Sequence, residues 1–333
     1  MGTDATVLIC TYNRCRQLEA TLDSLAAVDF SASRWDVLVV DNNSTDATGD
    51  VVRRMARRFP VDLRYVFEPE PGKSNALNAG LAALDATFVA FTDDDVRVSP
   101  DWLRRIAEGF TALRCDYLAG RVLPMWESPP PSWLSSAGGP MWAAIALLDY
   151  GPDPLPLATR VPLGVNMAVT RLALQKVGRF NPRLGRRAGT LLGQEQREWC
   201  LRARTHGLAG YYYPSMIVRH CVPSDRLTKN YFRRWFFWRG ISRALLYAET
   251  RVDMEMPEQT LLNFAKVPHV LGVPRYLYGK AALRLRRWAG RRARRLEAFE
   301  DELWLCFFAG IVRQRLRDLT LAKWNACRPV ESP

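Results

Sequence analysis

The first 120 residues alternate short apolar runs with amphipathic stretches, and this alternation limits the possible folds more than any other feature. Four runs are rich in β-branched and aromatic residues and are each stopped by polar residues, as strands are. They are "ATVLIC" (5–10), "DVLVV" (36–40), "RYVF" (64–67) and "TFVAF" (87–91). Helical patterns occupy the stretches between them. This order predicts an α/β domain with a mostly parallel sheet flanked by helices.

Three helical patterns separate the predicted strands. The first runs from about Arg14 to Ala27 and places four residues on one face: Leu18, Thr21, Leu22 and Leu25. The second begins in "NNSTDATGD", where a Ser, Thr or Asp at 44–46 can cap it, and ends before Pro60. The third covers about 74–84. We expect these helices to cover the faces of the sheet.

A polar segment follows each of the four predicted strands. In chain order these segments are "TYNR", "DNNSTD", "EPEPGKSNALNAG" and "TDDD". Parallel sheets bind ligands in the crevice beyond the carboxyl ends of their strands. The four segments are therefore expected to converge on one edge of the sheet and to form a single site there.

Three consecutive carboxylates, Asp93, Asp94 and Asp95, end the fourth strand. Adjacent carboxylates repel one another, and oxygen ligands suit a hard divalent cation such as Mg²⁺ or Mn²⁺. Such a cation keeps part of its coordination shell for substrate phosphates, so we predict a metal that bridges a diphosphate. The alternative is an acidic start to the following helix, which Ser99 or Asp101 can already cap.

The rest of the chain is less regular. Residues 121–162 contain nine prolines and three tryptophans and are interpreted as a long loop over the site, with a short helix near Met141 to Leu148. The stretches 164–179 and 191–207 predict a strand or loop followed by helices. Helical patterns then cover 225–248 and 258–320, apart from Pro268 and Pro274.

Composition excludes several classes of protein. The chain has 333 residues and 48% hydrophobic content, enough for a sizeable core. Its seven cysteines form no C-x-x-C pair, which argues against a disulfide framework or a zinc knuckle. No apolar run reaches the roughly 18 residues of a membrane-spanning helix. The N-terminal residues enter a strand at once and lack a signal peptide pattern, so we expect a cytoplasmic protein.

Six motifs together resemble those of glycosyltransferase family 2, whose members have the Rossmann-like GT-A fold. In chain order they are "TYNR" (11–14), "VVDNNSTD" (39–46), "GKSNALNAG" (72–80), "FTDDD" (91–95), "GVNMAVTR" (164–171) and "GQEQREWCLR" (193–202). The resemblance covers roughly residues 5–245. It implies a metal-dependent enzyme that transfers a sugar from a nucleotide-diphosphate donor to a hydroxyl acceptor with inversion.

The same resemblance implies a domain organisation. Residues 1–248 would form the GT-A catalytic domain, in which 1–120 bind the nucleotide sugar and 121–248 carry the acceptor and catalytic half. Residues 249–333 would form a basic, amphipathic helical extension.

The first two motifs are implied to bind the nucleoside. Thr11, Tyr12 and Asn13 would line the base and ribose, with Arg14 beside them in the same motif. Asp41 would accept a hydrogen bond from the base. A turn residue in "DNNSTD" is the alternative interpretation of Asp41.

The next two motifs are implied to bind phosphate and metal. Lys73 and Asn75 would lie near the ribose or phosphate, although Lys73 could equally be a solvated loop lysine. Asp93 would face the ribose or the metal, with Asp94 beside it on the donor side. Asp95 would bind the metal, as the last residue of the family's DXD motif.

The catalytic base is implied by the last motif. Inverting members carry a Glu-Asp pair at the start of a helix, and a carboxylate there deprotonates the acceptor hydroxyl. Here the pair is Glu195-Gln196, and a glutamine cannot act as a base. Glu195 is therefore the first candidate and Glu198 the second. His220 would add a metal ligand or a diphosphate contact, with a purely structural histidine as the alternative.

The C-terminal region is strongly basic. The net charge is +13, and residues 280–333 alone hold 13 basic and 6 acidic residues. Within "KAALRLRRWAGRRARR" (280–295), eight of sixteen residues are basic and are interleaved with leucines and a tryptophan. This pattern is typical of a segment that lies on an anionic membrane surface. The acceptor would then be lipid-linked or a glycan, at the inner face of the membrane; a solvated helix face is the alternative.

Three further functions remain open. A pseudoenzyme that binds a nucleotide sugar without turnover would explain Gln196. A sugar nucleotidyltransferase shares the sheet architecture, but "TYNRCRQ" is not the glycine-rich loop that this class needs after its first strand. A nucleic-acid binder would explain the isoelectric point of about 9.7, but no recognised module is present, and we expect no nucleic-acid partner.

Overall fold

The computed structural model describes residues 3–31, 33–134, 141–158, 160–250, 254–255, 267–290 and 296–326. Contacts divide the chain into two compact units. The first unit consists of Met1–Pro130, Ser135–Gly189 and Glu195–Arg226. The second consists of Pro131–Leu134, Thr190–Gln194 and Leu227–Pro333. The predicted domain boundary after residue 248 stays a prediction.

The first unit is built on one mixed sheet. Its strands are β1 (Thr3–Thr11), β2 (Trp35–Asp41), β3 (Asp62–Phe67), β4 (Ala86–Thr92), β5 (Val96–Val98), β6 (Tyr117–Trp126), β7 (Leu155–Pro156), β8 (Asn166–Thr170) and β9 (Gly210–Val222). Their spatial order is β3-β2-β1-β4-β8-β6-β9-β5, and β7 pairs with β9. The first four strands are parallel, while β8 and β5 are antiparallel to their neighbours. The four predicted strands and their parallel arrangement are therefore confirmed.

The helices of this unit are α1 (Cys15–Ala26), α2 (Thr48–Ala56), α3 (Lys73–Ala82), α4 (Trp102–Leu113), α5 (Arg171–Val177) and α6 (Glu195–Thr205). The buried face of α1 consists of the four residues predicted for it. Helix α2 begins later than predicted: Ala47 is its N-cap, and the carboxylate of Asp46 accepts a hydrogen bond from the amide of Thr48. Helix α3 lies close to the sheet because Gly80 has no side chain; a Cβ there would lie 2.5 Å from Leu8.

Strand register aligns the carboxyl ends of the parallel strands. Thr11 at the end of β1 pairs with Asp41 at the end of β2, and Asp41 pairs with Phe67 of β3. On the other side of β1, Ile9 pairs with Thr92 of β4. The segments that follow these strands therefore leave the sheet along one edge, as the sequence predicted.

Apolar burial on both faces holds this edge in place. The central residues of β1 and β2 are almost completely buried, which is why both strands are nearly continuous apolar runs. Each fully buried Val, Leu or Ile side chain contributes about 1.5–3 kcal/mol to folding. Phe91 of β4 packs edge-on against Phe180, below the site. The loops of the site thus rest on a rigid base.

The prediction of a continuous loop over 121–162 is wrong at its start. Strand β6 extends to Trp126 because its outer half pairs in parallel with β9, despite Pro124 within it. The predicted helix near 141–148 is a short 3₁₀ turn, Trp142–Ile145. Residues 135–140 and 159 of this stretch lie outside the described residues.

The second unit is mainly helical. Its elements are α7 (Lys229–Thr250), the two-residue strands β10 (His269–Val270) and β11 (Val273–Pro274), α8 (Arg275–Gly290) and α9 (Leu296–Ala326). Helices α7 and α9 cross where Gly240 meets the backbone of Phe307 and Gly310 meets the backbone of Phe237. No helix among the described residues is long and apolar enough to cross a membrane.

The helical prediction for 258–320 holds for α8 and α9 but fails in the segment between α7 and α8. Residues 269–274 form an antiparallel hairpin, whose turn contains Leu271 and Gly272 at positive φ. Pro274, the last residue of β11, directly precedes α8, since a proline favours extended backbone before it and disfavours a helix through it. The parts of the prediction at 258–266 and 291–295 lie outside the described residues.

Candidate functional site

The three aspartates lie directly after β4, and the loop after β1 supplies their partners. Thr11 donates a hydrogen bond to Asp94 over 2.8 Å. Nη1 of Arg14 lies 2.9 Å from Asp94 Oδ1 and 2.7 Å from Asp95 Oδ2, so a single guanidinium bridges both carboxylates. The three aspartates do not form the first turn of the next helix, because α4 begins at Trp102. The side-chain cap expected from Asp101 is not formed, although Asp101 occupies the N-cap position.

Asp93 has a different cationic partner. Nζ of Lys73, the first residue of α3, lies 2.6 Å from Asp93 Oδ1. Burial alone would lower the pKa of Lys73, but the nearby carboxylates of Asp93 and Glu195 outweigh it and raise the pKa. The lysine therefore stays charged between two carboxylates, in contrast to the solvated loop lysine that the sequence left open. Its backbone amide donates to the carbonyl of Arg186.

Asp95 is surrounded by three basic side chains, those of His220, Arg14 and Arg226. Burial raises its pKa, but His220, Arg14 and Arg226 together lower it well below the ordinary range. Nε2 of His220 lies 3.3 Å from Asp95 Oδ1, and Arg226 Nη2 lies 3.8 Å from Oδ2. Within the described residues, Asp95 Oδ1 is nevertheless a buried acceptor with no hydrogen bond of normal geometry. His220 thus lies beside Asp95, and its role as a metal ligand or diphosphate contact stays a prediction.

The loop after β1 is braced by Asn13. Its backbone has positive φ, and its Oδ1 accepts hydrogen bonds from the amides of Thr45 and Asp46, at 2.7 and 3.2 Å. Its own amide donates to Ser44. Asn13 therefore joins the first two motifs, while the neighbouring Tyr12 is 43% exposed and presents its ring to solvent.

Asp41 is buried, and both of its oxygens accept hydrogen bonds. Oδ1 accepts from the amide of Ser44 over 2.9 Å, and Oδ2 accepts from the hydroxyl of Tyr65 over 2.8 Å. Burial and the adjacent carboxylate raise the pKa of Tyr65 to about 12, so its hydroxyl remains a donor. No sequence pattern indicated this Tyr65 contact, because tyrosine is a common residue within strands.

The loop before α3 is held by an asparagine that the sequence did not single out. Asn42 accepts from the amide of Gly72 over 2.7 Å and donates to the carbonyl of Glu70 over 2.8 Å. Gly72 has a φ of 142°, which a residue with a Cβ rarely adopts. The predicted site residue Asn75 makes only long contacts, of 3.4 and 3.5 Å, to this loop.

The two candidate bases differ sharply in their surroundings. Glu198 forms a two-pronged ion pair with Arg202 one turn later on α6, at 2.6 and 2.9 Å. Glu195 is 4% exposed, and its Oε2 is a buried oxygen with no hydrogen bond among the described residues. Glu195 is therefore the candidate with a buried oxygen that makes no hydrogen bond among the described residues, and its role as the base stays a prediction.

A pocket opens between α3, β4 and α6. Its lining residues are Cys10, Lys73, Leu77, Phe91, Thr92, Asp93, Gly164, Met167, Phe180 and Gln196. Gln196 fits only because residue 164 is glycine; a Cβ there would lie 2.3 Å from the amide nitrogen of Gln196. Burial raises the pKa of the Cys10 thiol to about 12, which leaves it a weak nucleophile. The predicted donor and acceptor motifs thus share one cavity.

The side chains near the aspartates include oxygen ligands of the kind that a divalent cation binds. Among the described residues, no group of three or more His, Cys, Asp or Glu side chains is arranged to hold a metal ion. Carboxylate oxygens nevertheless suit Mg²⁺ or Mn²⁺, and the buried Asp95 Oδ1 lacks a hydrogen bond. The chemistry fits a cation that takes its remaining ligands from a bound substrate.

Comparison with known families gives a match over the first half of the chain. Residues 6–159 match the family model described as glycosyl transferase family 2. The chain is 28% identical over 247 residues to the succinoglycan biosynthesis protein ExoM of Rhizobium meliloti (strain 1021), which is 72% of this chain and 74% of that protein. It is 35% identical over 102 residues to the validoxylamine A glucosyltransferase of Streptomyces hygroscopicus subsp. jinggangensis, covering 30% of this chain and 24% of that enzyme.

Solved structures show the same fold. The mannosyltransferase PcManGT from Pyrobaculum calidifontis, in complex with GDP-Man and Mn²⁺, superposes with a TM-score of 0.63 at 20% identity, over 94% of this chain and 87% of that one. Residues 1–349 of TarS from S. aureus, in complex with UDP-GlcNAc, give 0.53 at 15% identity, over 96% and 92%. Residues 6–159 therefore match glycosyltransferase family 2, and the protein is a glycosyltransferase with the GT-A fold.

Proposed function

We propose that this enzyme transfers a sugar from a nucleotide-diphosphate donor to a hydroxyl acceptor, with a divalent metal and with inversion. One observation carries the proposal: the loops after β1, β2 and β4 and the start of α3 meet at one edge, where Thr11, Arg14 and Lys73 contact the three aspartates. The donors named for the two similar structures, GDP-Man and UDP-GlcNAc, support the donor class.

On the donor side, the nucleoside lies against the first two motifs. The exposed ring of Tyr12 offers a stacking surface for the base. Each carboxylate oxygen can accept two hydrogen bonds, so Asp41 can accept one from the base and keep those from Ser44 and Tyr65. The charged Lys73 and the nearby Asn75 bind the ribose or the phosphates.

The metal would be held by Asp93 and Asp95, with His220 as a further ligand. When bound, a divalent metal supplies charge neutralisation for the departing nucleoside diphosphate. Lys73 stays protonated beside Asp93 and contributes a second positive charge to the same leaving group. Asp94 holds Arg14 and Thr11 and thereby shapes the loop after β1.

On the acceptor side, Glu195 is the general base. Its uncommitted Oε2 takes the proton of the acceptor hydroxyl, whose oxygen attacks the anomeric carbon as the bond to the diphosphate oxygen breaks. The attacking and leaving groups lie on opposite faces of the sugar, so the configuration inverts. Gln196 lines the same pocket and can donate or accept a hydrogen bond there, but it cannot take a proton.

A pseudoenzyme is the second candidate function, and Gln196 favours it. The amide occupies the pocket beside Lys73 and Asp93, at a motif position where a carboxylate would be catalytic. In that case, the protein would bind the nucleotide sugar without turnover. The match of residues 6–159 to glycosyl transferase family 2 argues against the nucleotidyltransferase alternative.

Donor screening tests the proposal and separates it from the pseudoenzyme. Purified protein is heated with UDP-, GDP-, TDP- and CMP-sugars, each with Mn²⁺ and with EDTA, and donor hydrolysis is measured in parallel. One nucleotide class should raise the melting temperature with Mn²⁺ and lose this effect in EDTA, because ligands of the native state stabilise it. Asp95→Asn should lose both stabilisation and hydrolysis. Stabilisation without any turnover would favour the pseudoenzyme. Turnover that persists in EDTA would contradict the proposed metal dependence.

We also propose that the enzyme is cytoplasmic and rests on the inner membrane face, near a lipid-linked or glycan acceptor. Of the sixteen residues of α8, all of which are described, Leu277 alone is buried, while Leu283 and Leu285 are about half exposed. The helix carries five basic and no acidic residues. Cosedimentation with vesicles rich in anionic phosphatidylglycerol, and not with neutral ones, is expected. Leu283→Ser with Arg286→Ser should weaken it; equal binding of both proteins would contradict the proposal.

A further inference from the structure

Every carboxylate of the aspartate cluster already contacts a positive side chain of the chain itself. Lys73 pairs with Asp93, and Arg14 pairs with both Asp94 and Asp95. The cation that the proposed function requires would therefore enter a cluster whose three carboxylates are already paired with two positive side chains.

Arg14 differs from the other cations in its position. One of its nitrogens lies 2.7–2.9 Å from both carboxylates, which places positive charge between them. Its side chain is 33% exposed, whereas those of Asp94 and Asp95 are 7% exposed, so the arginine is the solvent-facing member of the group. The residue is the N-cap of α1, and its carbonyl accepts a hydrogen bond from the amide of Leu18, so the start of the helix fixes its backbone.

Arg14 occupies one carboxylate oxygen of Asp95. The Oδ2 atom is engaged by Arg14, with Arg226 3.8 Å away, whereas the buried Oδ1 lies 3.3 Å from His220 Nε2 and makes no hydrogen bond of normal geometry among the described residues. A divalent ion that bound Asp95 would lie a few ångströms from the guanidinium, and like charges at that distance repel strongly in a partly buried site. The guanidinium and a metal ion at Asp95 therefore weaken each other's binding, and a further anion reduces this repulsion.

We propose that Arg14, held by Asp94, is a built-in counter-ion that competes with the divalent metal for Asp95, and that the donor diphosphate relieves this competition. The diphosphate gives the guanidinium a second anion to pair with, and a guanidinium matches phosphate oxygens well. Metal and donor then bind cooperatively, and the metal binds weakly without the donor. This inference rests on the metal dependence within the proposed function.

The test measures Mn²⁺ binding without and with nucleotide. Free Mn²⁺ is followed by its electron paramagnetic resonance signal during titration of wild-type protein, Arg14→Gln, Arg14→Lys and the control Arg53→Gln, whose arginine forms an exposed pair with Asp50. Without nucleotide, Arg14→Gln should bind Mn²⁺ about tenfold more tightly than wild type, a typical size for coupling between two sites. Arg14→Lys, which keeps the charge, should gain less, and Arg53→Gln should match wild type.

Nucleotide should reverse the order of the variants. With Mn²⁺ and the nucleoside diphosphate selected by the donor screen, Arg14→Gln should bind the nucleotide more weakly than wild type, because the diphosphate has lost its arginine. The nucleotide should also increase Mn²⁺ affinity less in Arg14→Gln than in wild type. Thermal unfolding of each variant checks that it is folded, and Arg14→Lys carries the comparison if Arg14→Gln is not.

The outcomes separate the inference from the function beneath it. If wild type binds Mn²⁺ with nucleotide, but Arg14→Gln and Arg14→Lys bind Mn²⁺ alone no more tightly than wild type, the competition is overturned and the metal site stands. If no protein binds Mn²⁺ with any nucleotide, the metal site itself is overturned, and the competition with it.

Discussion

The donor side and the acceptor side of the pocket are built in opposite ways. On the donor side, each carboxylate contacts a cation or a hydrogen-bond donor: Asp41, Asp93, Asp94 and Asp95. On the acceptor side, Glu195 keeps an oxygen without a hydrogen bond among the described residues. A committed group holds its geometry, whereas an uncommitted buried group is costly until a ligand satisfies it. In the function proposed above, the donor side would therefore be preorganised, and the acceptor side would be completed by substrate.

The largest expected effect is on sugar transfer and concerns Glu195, whose Oε2 has no hydrogen bond among the described residues. Glu195→Gln keeps the shape of the side chain but removes its ability to accept a proton, so sugar transfer should fall by about 10²–10⁴-fold. Donor binding should change little, because the contacts of the donor side are intact. Steady-state transfer assays with nucleotide binding by calorimetry measure both quantities.

Glu198→Gln is the matched control, since Glu198 lies on the same helix but is committed to Arg202. It should lower the melting temperature, because it weakens a partly buried ion pair, and leave turnover within a few-fold of wild type. Equal losses of turnover in Glu195→Gln and Glu198→Gln would mean that the missing hydrogen bond at Glu195 does not distinguish the catalytic base.

The next effect tests the donor side. Lys73→Met removes the charge beside Asp93, and donor affinity should fall about 10- to 100-fold, the equivalent of one charge-assisted hydrogen bond. Lys176→Met, at an exposed position on α5, is the control and should have no effect. A Lys73→Met variant that binds donor normally but transfers sugar poorly would place the lysine on the acceptor side instead.

The sequence predicted those features of the site that depend on local pattern. The four strands, the buried face of α1 and the meeting of the four polar segments follow from periodicity and from the geometry of parallel sheets. The contacts between segments could not be derived in the same way. Arg14 is 80 residues from Asp94, and no local signal distinguishes it from other loop arginines.

Two errors in the fold predicted from the sequence have the same origin. The outer half of β6 contains Pro124 and was interpreted as a loop, yet pairing with β9, about 95 residues later, keeps it extended. The hairpin at 269–274 consists of two-residue strands, which are too short for any alternation to appear. Tertiary pairing decided both elements, and a single sequence does not reveal which segments pair.

The smallest expected effect concerns a contact that the sequence did not indicate. Tyr65→Phe removes the hydrogen bond to Asp41 but keeps the ring, and should cost about 1 kcal/mol, so the donor KM should rise about fivefold with kcat unchanged. The pKa of Tyr65 is raised to about 12, so its hydroxyl donates throughout the neutral range, and the ratio between variant and wild type should not depend on pH there. An unchanged KM would mean that Asp41 keeps its orientation through Ser44 alone, and that the donor side contains more contacts than its function requires.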